Sequence, residues 1–185
     1  MSTRSTFLTL ALLPGLFASS ALAQGADNCA MAQPITGLGT FNFDTTAATT
    51  DGLADTSCST INGNDVVLDV WFAWTAAASE VVGISTCGGA SFDTRIAVYD
   101  GAACPTVGAL ACDDDGCATS LQSFVSFSAT AGQTYLFRIG SYPGGTPVGG
   151  AGTFDILTDM PTLNPANGSY YQAIAAIPIT WEDAR

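Results

Sequence analysis

The chain has 185 residues, 48% of them hydrophobic, with 16 Asp and Glu set against 4 Arg, no Lys and no His, for a formal charge of −12. That is ample for one domain and a squeeze for two. The absence of His and Lys argues against catalytic triads, Schiff-base chemistry and most zinc sites, and the scarcity of positive charge argues against nucleic acid; hard cations, neutral polymers and other proteins remain as partners.

Residues 1–23 read as a signal peptide: Arg4 gives a positive start, residues 7–17 an apolar stretch broken by Pro14, and Ala21-Leu22-Ala23 small residues for cleavage before Gln24. The apolar stretch is shorter than the ~18 residues a membrane span needs. Cleavage leaves about 162 residues and a charge of −13. The next most apolar window, 66–85, is interrupted by Asp69 and Glu80 and reads as two strands, so no transmembrane segment is expected after cleavage. The product is expected to be secreted or held at the cell surface. Cys29, Cys58, Cys87, Cys104, Cys112 and Cys117 all follow the cleavage point, and an even number in an exported chain predicts three disulfides. The expected pairs are Cys29 with Cys58, Cys104 with Cys112, and Cys87 with Cys117. No CxxC pair supports zinc, and no His is present to activate a thiol.

Strands are expected at 66–76, 81–86, 94–100, 110–112, 123–128, 134–142 and 152–157, separated by Gly-, Asp-, Ser- and Pro-rich turns. Seven short strands without a sustained helical period predict an all-β fold, an antiparallel jelly-roll-like β-sandwich with disulfides. Trp71, Phe72 and Trp74 fall on both faces of the longest strand. One set must enter the core, and the other meets loops or forms a sugar-stacking platform, buried packing being the expectation. Arg95 is expected to make a structural ion pair with a nearby Asp.

Cys112-Asp113-Asp114-Asp115-Gly116-Cys117 places three carboxylates in one turn, close behind Asp93 and Asp100 in sequence. Repulsion within such a group is relieved by hydration or by a hard cation. Calcium, with oxygen ligands on flexible loops, is the candidate cofactor, and Asp93, Asp100, Asp113, Asp114 and Asp115 are the candidate ligands. A solvated Asx turn is the plainer alternative. The spacing is not that of an EF-hand. Glycoside hydrolysis needs two carboxylates across a cleft, one with raised pKa, whereas Glu80 and Glu182 are the only Glu and the Asp residues crowd into turns; no catalytic residues are expected.

Four motifs in order, Phe92-Asp93-Thr94-Arg95-Ile96-Ala97-Val98-Tyr99-Asp100-Gly101, Leu110-Ala111-Cys112-Asp113-Asp114-Asp115, Ala131-Gly132-Gln133-Thr134-Tyr135-Leu136-Phe137-Arg138-Ile139-Gly140 and Gly152-Thr153-Phe154-Asp155-Ile156, resemble the bacterial pre-peptidase C-terminal (PPC) domain over roughly residues 27–158. The resemblance implies a domain at 24–160: a non-catalytic jelly-roll-like sandwich of the kind appended to exported proteases, helping in some members to bind polymer or calcium. The six cysteines and the N-terminal arm from Asp27 depart from that family's usual pattern. Within 161–185, Asn167-Gly168-Ser169-Tyr170-Tyr171-Gln172 and Ile179-Thr180-Trp181-Glu182-Asp183-Ala184-Arg185 resemble a linker and the incomplete start of a C-type lectin-like domain, whose sugar ligands would lie beyond Arg185. The expected function is an exported, non-enzymatic module for adhesion or binding to extracellular polysaccharide or protein, stabilised by calcium. Alternatives are an accessory piece of an exported hydrolase or protease, or a purely structural surface protein.

Overall fold

The period-two and continuous apolar runs form two facing sheets in the computed structural model, which describes residues 24–54, 58, 65–118 and 120–158 and the backbone of Thr162–Leu163 and Tyr170–Tyr171. The strands are β1 (Gln33–Thr36), β2 (Gly39–Asp44), β3 (Val67–Thr75), β4 (Glu80–Ser85), β5 (Thr94–Asp100), β6 (Ala111–Asp113), β7 (Phe124–Ala129), β8 (Thr134–Ser141) and β9 (Ala151–Leu157), with a short pair β10 (Thr162–Leu163) and β11 (Tyr170–Tyr171). One sheet has the order β1-β3-β8-β5-β6 and the other β2-β9-β4-β7. The expected signal peptide lies outside the described residues, as does the lectin-like resemblance apart from the backbone of β10 and β11. All seven expected strands are present with boundaries moved by a residue or so; β1 and β2 are additional. Because β1 runs parallel to β3, the sandwich is not purely antiparallel.

The two sheets differ in what covers their outer faces. In β7, Val125, Phe127 and Ala129 are buried while Ser126 and Ser128 are exposed, the alternation of a strand with one wet face. Buried residues instead run continuously through β5 and β8, the mark of strands covered on both faces. Between the sheets, Phe72 packs against Phe137 and Phe154 at 5.2 and 4.9 Å between ring centroids, and Trp74 lies in the same core. On the outer side of the first sheet, Trp71 stacks on Tyr99 at 5.7 Å within a second cluster that includes Cys29, Cys58, Val66, Ala97 and Leu136. All three aromatics of β3 are therefore buried, and Trp71 meets loops as one of the two expected outcomes.

Those covering loops are fastened by polar contacts and disulfides. Asp51 accepts hydrogen bonds from Trp71 Nε1 (2.6 Å) and from the Cys29 amide (2.9 Å), and Asp27 accepts from the Thr49 amide. At Leu68, whose φ of 51° is left-handed, the β3–β8 register slips. The amides around this bulge donate outside the ladder, Leu68 to Thr50 Oγ1 and Asp69 to Thr49 O, each at 3.0 Å. Gly140 lies opposite, where a Cβ would stand 2.6 Å from Val67 O.

The disulfide pairs are Cys29–Cys104, Cys58–Cys112 and Cys87–Cys117, so two of the three expected pairings are corrected. Cys104 and Cys112 do not clasp a hairpin with each other. Each reaches instead to the layer on the outer face, one to the short 3₁₀ turn Cys29–Met31 and the other to Cys58. Sequence proximity favoured the local pairing, and the burial of Trp71 and Tyr99 beneath a covering layer decided otherwise.

Candidate functional site

The turn after β6 is built around its own carboxylates. Asp113 Oδ2 accepts from the amides of Gly116 (2.6 Å) and Phe124 (2.9 Å). Asp114 takes a two-point contact from Arg95, Nε to Oδ1 at 3.1 Å and Nη2 to Oδ2 at 2.9 Å, the ion pair expected of Arg95. A hydroxyl network ties this turn to both sheets: Ser123 Oγ donates to Thr94 O (2.5 Å), and Thr86 Oγ1 and Thr94 Oγ1 lie 2.7 Å apart, all buried.

The structure sets Asp100 apart from the other four candidate calcium ligands. Asp93 precedes β5, electrostatically coupled to Asp114 and Asp115. Asp100 closes the same strand ~20 Å away by the rise of a seven-residue strand, and it accepts instead from Gln133 Nε2 at 3.0 Å. Among the described residues no group of three or more Asp, Glu, Cys or His is gathered to hold a metal ion. Asp113 is held by backbone amides and Asp114 by Arg95, so a calcium ion would compete with these partners for the two carboxylates. Unfolding midpoints of the oxidised chain should coincide in millimolar calcium and in chelator; a midpoint that climbs with calcium concentration would show a bound ion.

Several carboxyls are nevertheless disfavoured as anions. Burial pushes Asp69 up to about 6 from 3.8, with Arg138 at 3.3 Å offsetting only part of the effect. Asp93 is likewise raised to about 6, by burial and then by Asp114 and Asp115. Asp113 and Asp115 are raised as well, chiefly by burial, while Asp44 is lowered by its hydrogen bonds to Thr46. A carboxyl that holds its proton more tightly folded than unfolded stabilises the fold while protonated, and that contribution is lost as pH rises through the folded pKa. The unfolding midpoint should therefore fall between about pH 4 and pH 6.5, the window set by 3.8 and about 6. A midpoint that rises over this interval in a pH series would contradict these environments.

The same end of the sandwich holds a cleft of about 250 Å³, lined by Ser91, Phe92, Asp93, Ser141, Tyr142, Gly144, Thr146 and Val148. Its walls are the loop entering β5 and the loop leaving β8, joined where the Tyr142 amide donates to Asp93 O at 3.2 Å. Tyr142 lies over Arg95, with the guanidinium carbon 5.0 Å from the ring centroid. Gly144 packs so closely that a Cβ would collide with the Tyr142 ring, and Gly145 turns the chain with a φ of 73°. Asp93 Oδ1 is shielded from water and has no hydrogen-bond partner. The cleft thus sets a half-buried tyrosine ring and Phe92 beside a carboxyl and several hydroxyls. Of its lining, only Asp93 figured among the candidate residues. Tyr142 ends the strand expected at 134–142, and its place before Pro143-Gly144-Gly145 marks a strand-to-loop junction.

A family model described as galactose binding domain-like, and T9SS-associated, matches residues 25–148, about two thirds of the chain and the whole of the cleft. The chain belongs to the galactose binding domain-like family. It is a β-sandwich family, in line with the expected fold class, and the match does not extend to the PPC resemblance. No curated protein and no solved structure matches the chain. As a galactose binding domain-like chain, it places its aromatic and polar cleft at the loop end of the sandwich, and no helix among the described residues is long and apolar enough to cross a membrane.

Proposed function

We propose that this chain is a non-catalytic module that binds extracellular saccharide in the cleft between the loop entering β5 and the loop leaving β8. The observation that carries the reading is the pairing of the Tyr142 ring, held in place over Arg95, with the Asp93 carboxyl and the hydroxyls of Ser91 and Thr146. A sugar offers an apolar face and a rim of hydroxyls, which calls for a ring beside hydrogen-bonding groups. The volume of about 250 Å³ is below that of typical drug-sized pockets and suits one sugar residue of a chain. Membership of a T9SS-associated family and three disulfides support an extracellular or cell-surface setting.

Titration calorimetry of the oxidised chain against a panel of oligosaccharides tests the reading. Binding to at least one is expected, with Tyr142→Ala weakening it roughly tenfold or more, as for a central aromatic anchor. Because Tyr142 also covers Arg95, Thr146→Ala serves as a second variant; Thr146 is exposed on the cleft wall and its loss should weaken binding without shifting the unfolding midpoint. Retention of no saccharide by the folded chain would overturn the proposal.

A further inference from the structure

We propose that the cleft selects saccharides bearing a protonated amine over neutral ones and rejects acidic ones, a specificity that rests on the saccharide reading above. The charge distribution carries it. Among the described residues Asp93 is the one charged residue lining the cleft, with Asp114 and Asp115 acting on it electrostatically. The nearest cation among the described residues, Arg95, is fully buried, engaged on both oxygens of Asp114 and on Asp65 O at 2.9 Å, and covered by Tyr142. The other Arg among the described residues, Arg138, is buried against Asp69, and the sequence contains no Lys or His. No described side chain at the cleft can therefore neutralise a carboxylate or sulfate on the ligand.

An ammonium supplies what this wall lacks. It brings a positive charge to a cleft-lining carboxyl whose neighbours are mostly acids, and it is a donor where that carboxyl is short of donors. Phe92 and Tyr142 line the same space, and aromatic rings also favour a cation over an anion. Burial and the flanking acids hold Asp93 up at about 6, so a bound ammonium must pull that value down, and by linkage the preference must fade as pH drops below about 6. The charged groups that set this response are Asp114, Asp115 and Arg95.

The test is calorimetry of the oxidised chain at physiological salt against oligomers of glucosamine, N-acetylglucosamine and a hexuronate of matched length. The amine form should bind roughly tenfold tighter than its N-acetylated counterpart, the equivalent of about one pKa unit of coupling, and the uronate should not bind. Asp93→Asn should abolish the ratio between the first two. Asp155→Asn removes the same formal charge from the second sheet, where Asp155 pairs with Thr40 in register, and should leave the ratio intact. Equal or tighter binding of the N-acetylated oligomer, or an equal fall of the ratio in Asp155→Asn, would overturn the amine preference while leaving the saccharide reading standing. Oligolysine binding as tightly as oligoglucosamine would also overturn it, by showing simple attraction of polycations to an acidic protein. Failure of every saccharide to bind would overturn both.

Discussion

Reduction of the three disulfides should unfold the chain at room temperature. The bridges span 75, 54 and 30 residues, and closing loops of those lengths in the unfolded chain corresponds to about 4.5, 4 and 3.5 kcal/mol respectively. The loops overlap, so the sum overstates the total, yet even half of it rivals the ~5–15 kcal/mol that holds a typical domain. Two of the bridges also hold down the layer that buries Trp71 and Tyr99. Once that layer can lift, the stacked pair and the buried Arg138 beneath it meet water, so entropy and packing are lost together. Tryptophan emission and near-ultraviolet dichroism before and after reductant give the readout; native spectra that persist in the fully reduced chain would contradict the expectation. The paired variant Cys58→Ser with Cys112→Ser should cost about 2–4 kcal/mol by chemical denaturation.

Arg138→Met is expected to lose about 3–5 kcal/mol at pH 7, the usual cost of leaving one member of a buried ion pair without its partner. Arg138 and Asp69 are both fully buried and 3.3 Å apart. The guanidinium also donates to Tyr99 Oη (3.1 Å), to Leu53 O and to Val66 O, and lies 5.3 Å from the Trp71 ring. One side chain thus links the loop before β3, the bulge in β3 and the outer aromatics. Arg138 offsets part of the burial that raises Asp69 to about 6, so its removal raises that carboxyl further, and the loss should shrink at pH 5, where the abandoned carboxyl holds a proton. Combining Arg138→Met with Asp69→Leu should recover part of the loss, since the charge to be compensated is gone. Denaturation with an unchanged slope measures each variant, and a single-variant loss under ~1 kcal/mol would show that the ion pair contributes little.

Much of this was legible in the residues themselves. The seven main strands followed from β-branched and aromatic runs bounded by turn residues, because those runs are long enough for period and propensity to agree. β1 and β2 were not, since Gln33–Thr36 contains a proline and buries only Ile35, and Gly39–Asp44 buries only Phe43. Their pairing with β3 and β9 is decided by partners distant in sequence. The ion pair of Arg95 was legible because a lone cation in a buried run must find an acid, and three lay in the nearest turn. The disulfide pairing was not, because six cysteines allow fifteen arrangements and the covering layer over Trp71 leaves no local signature. Grouping five aspartates by sequence proximity failed at Asp100 for a geometric reason: the strand between Asp93 and Asp100 is extended and carries them to opposite ends of the sheet.

The location of ligand binding is the most direct test of the account. Backbone amide shifts of the isotope-labelled, oxidised chain, followed while oligosaccharide is added, should move together at residues 91–93 and 141–148, the two loops that wall the cleft, and hardly at all on the exposed face of β7. Shifts concentrated anywhere else on the sandwich would contradict a saccharide site at Asp93 and Tyr142.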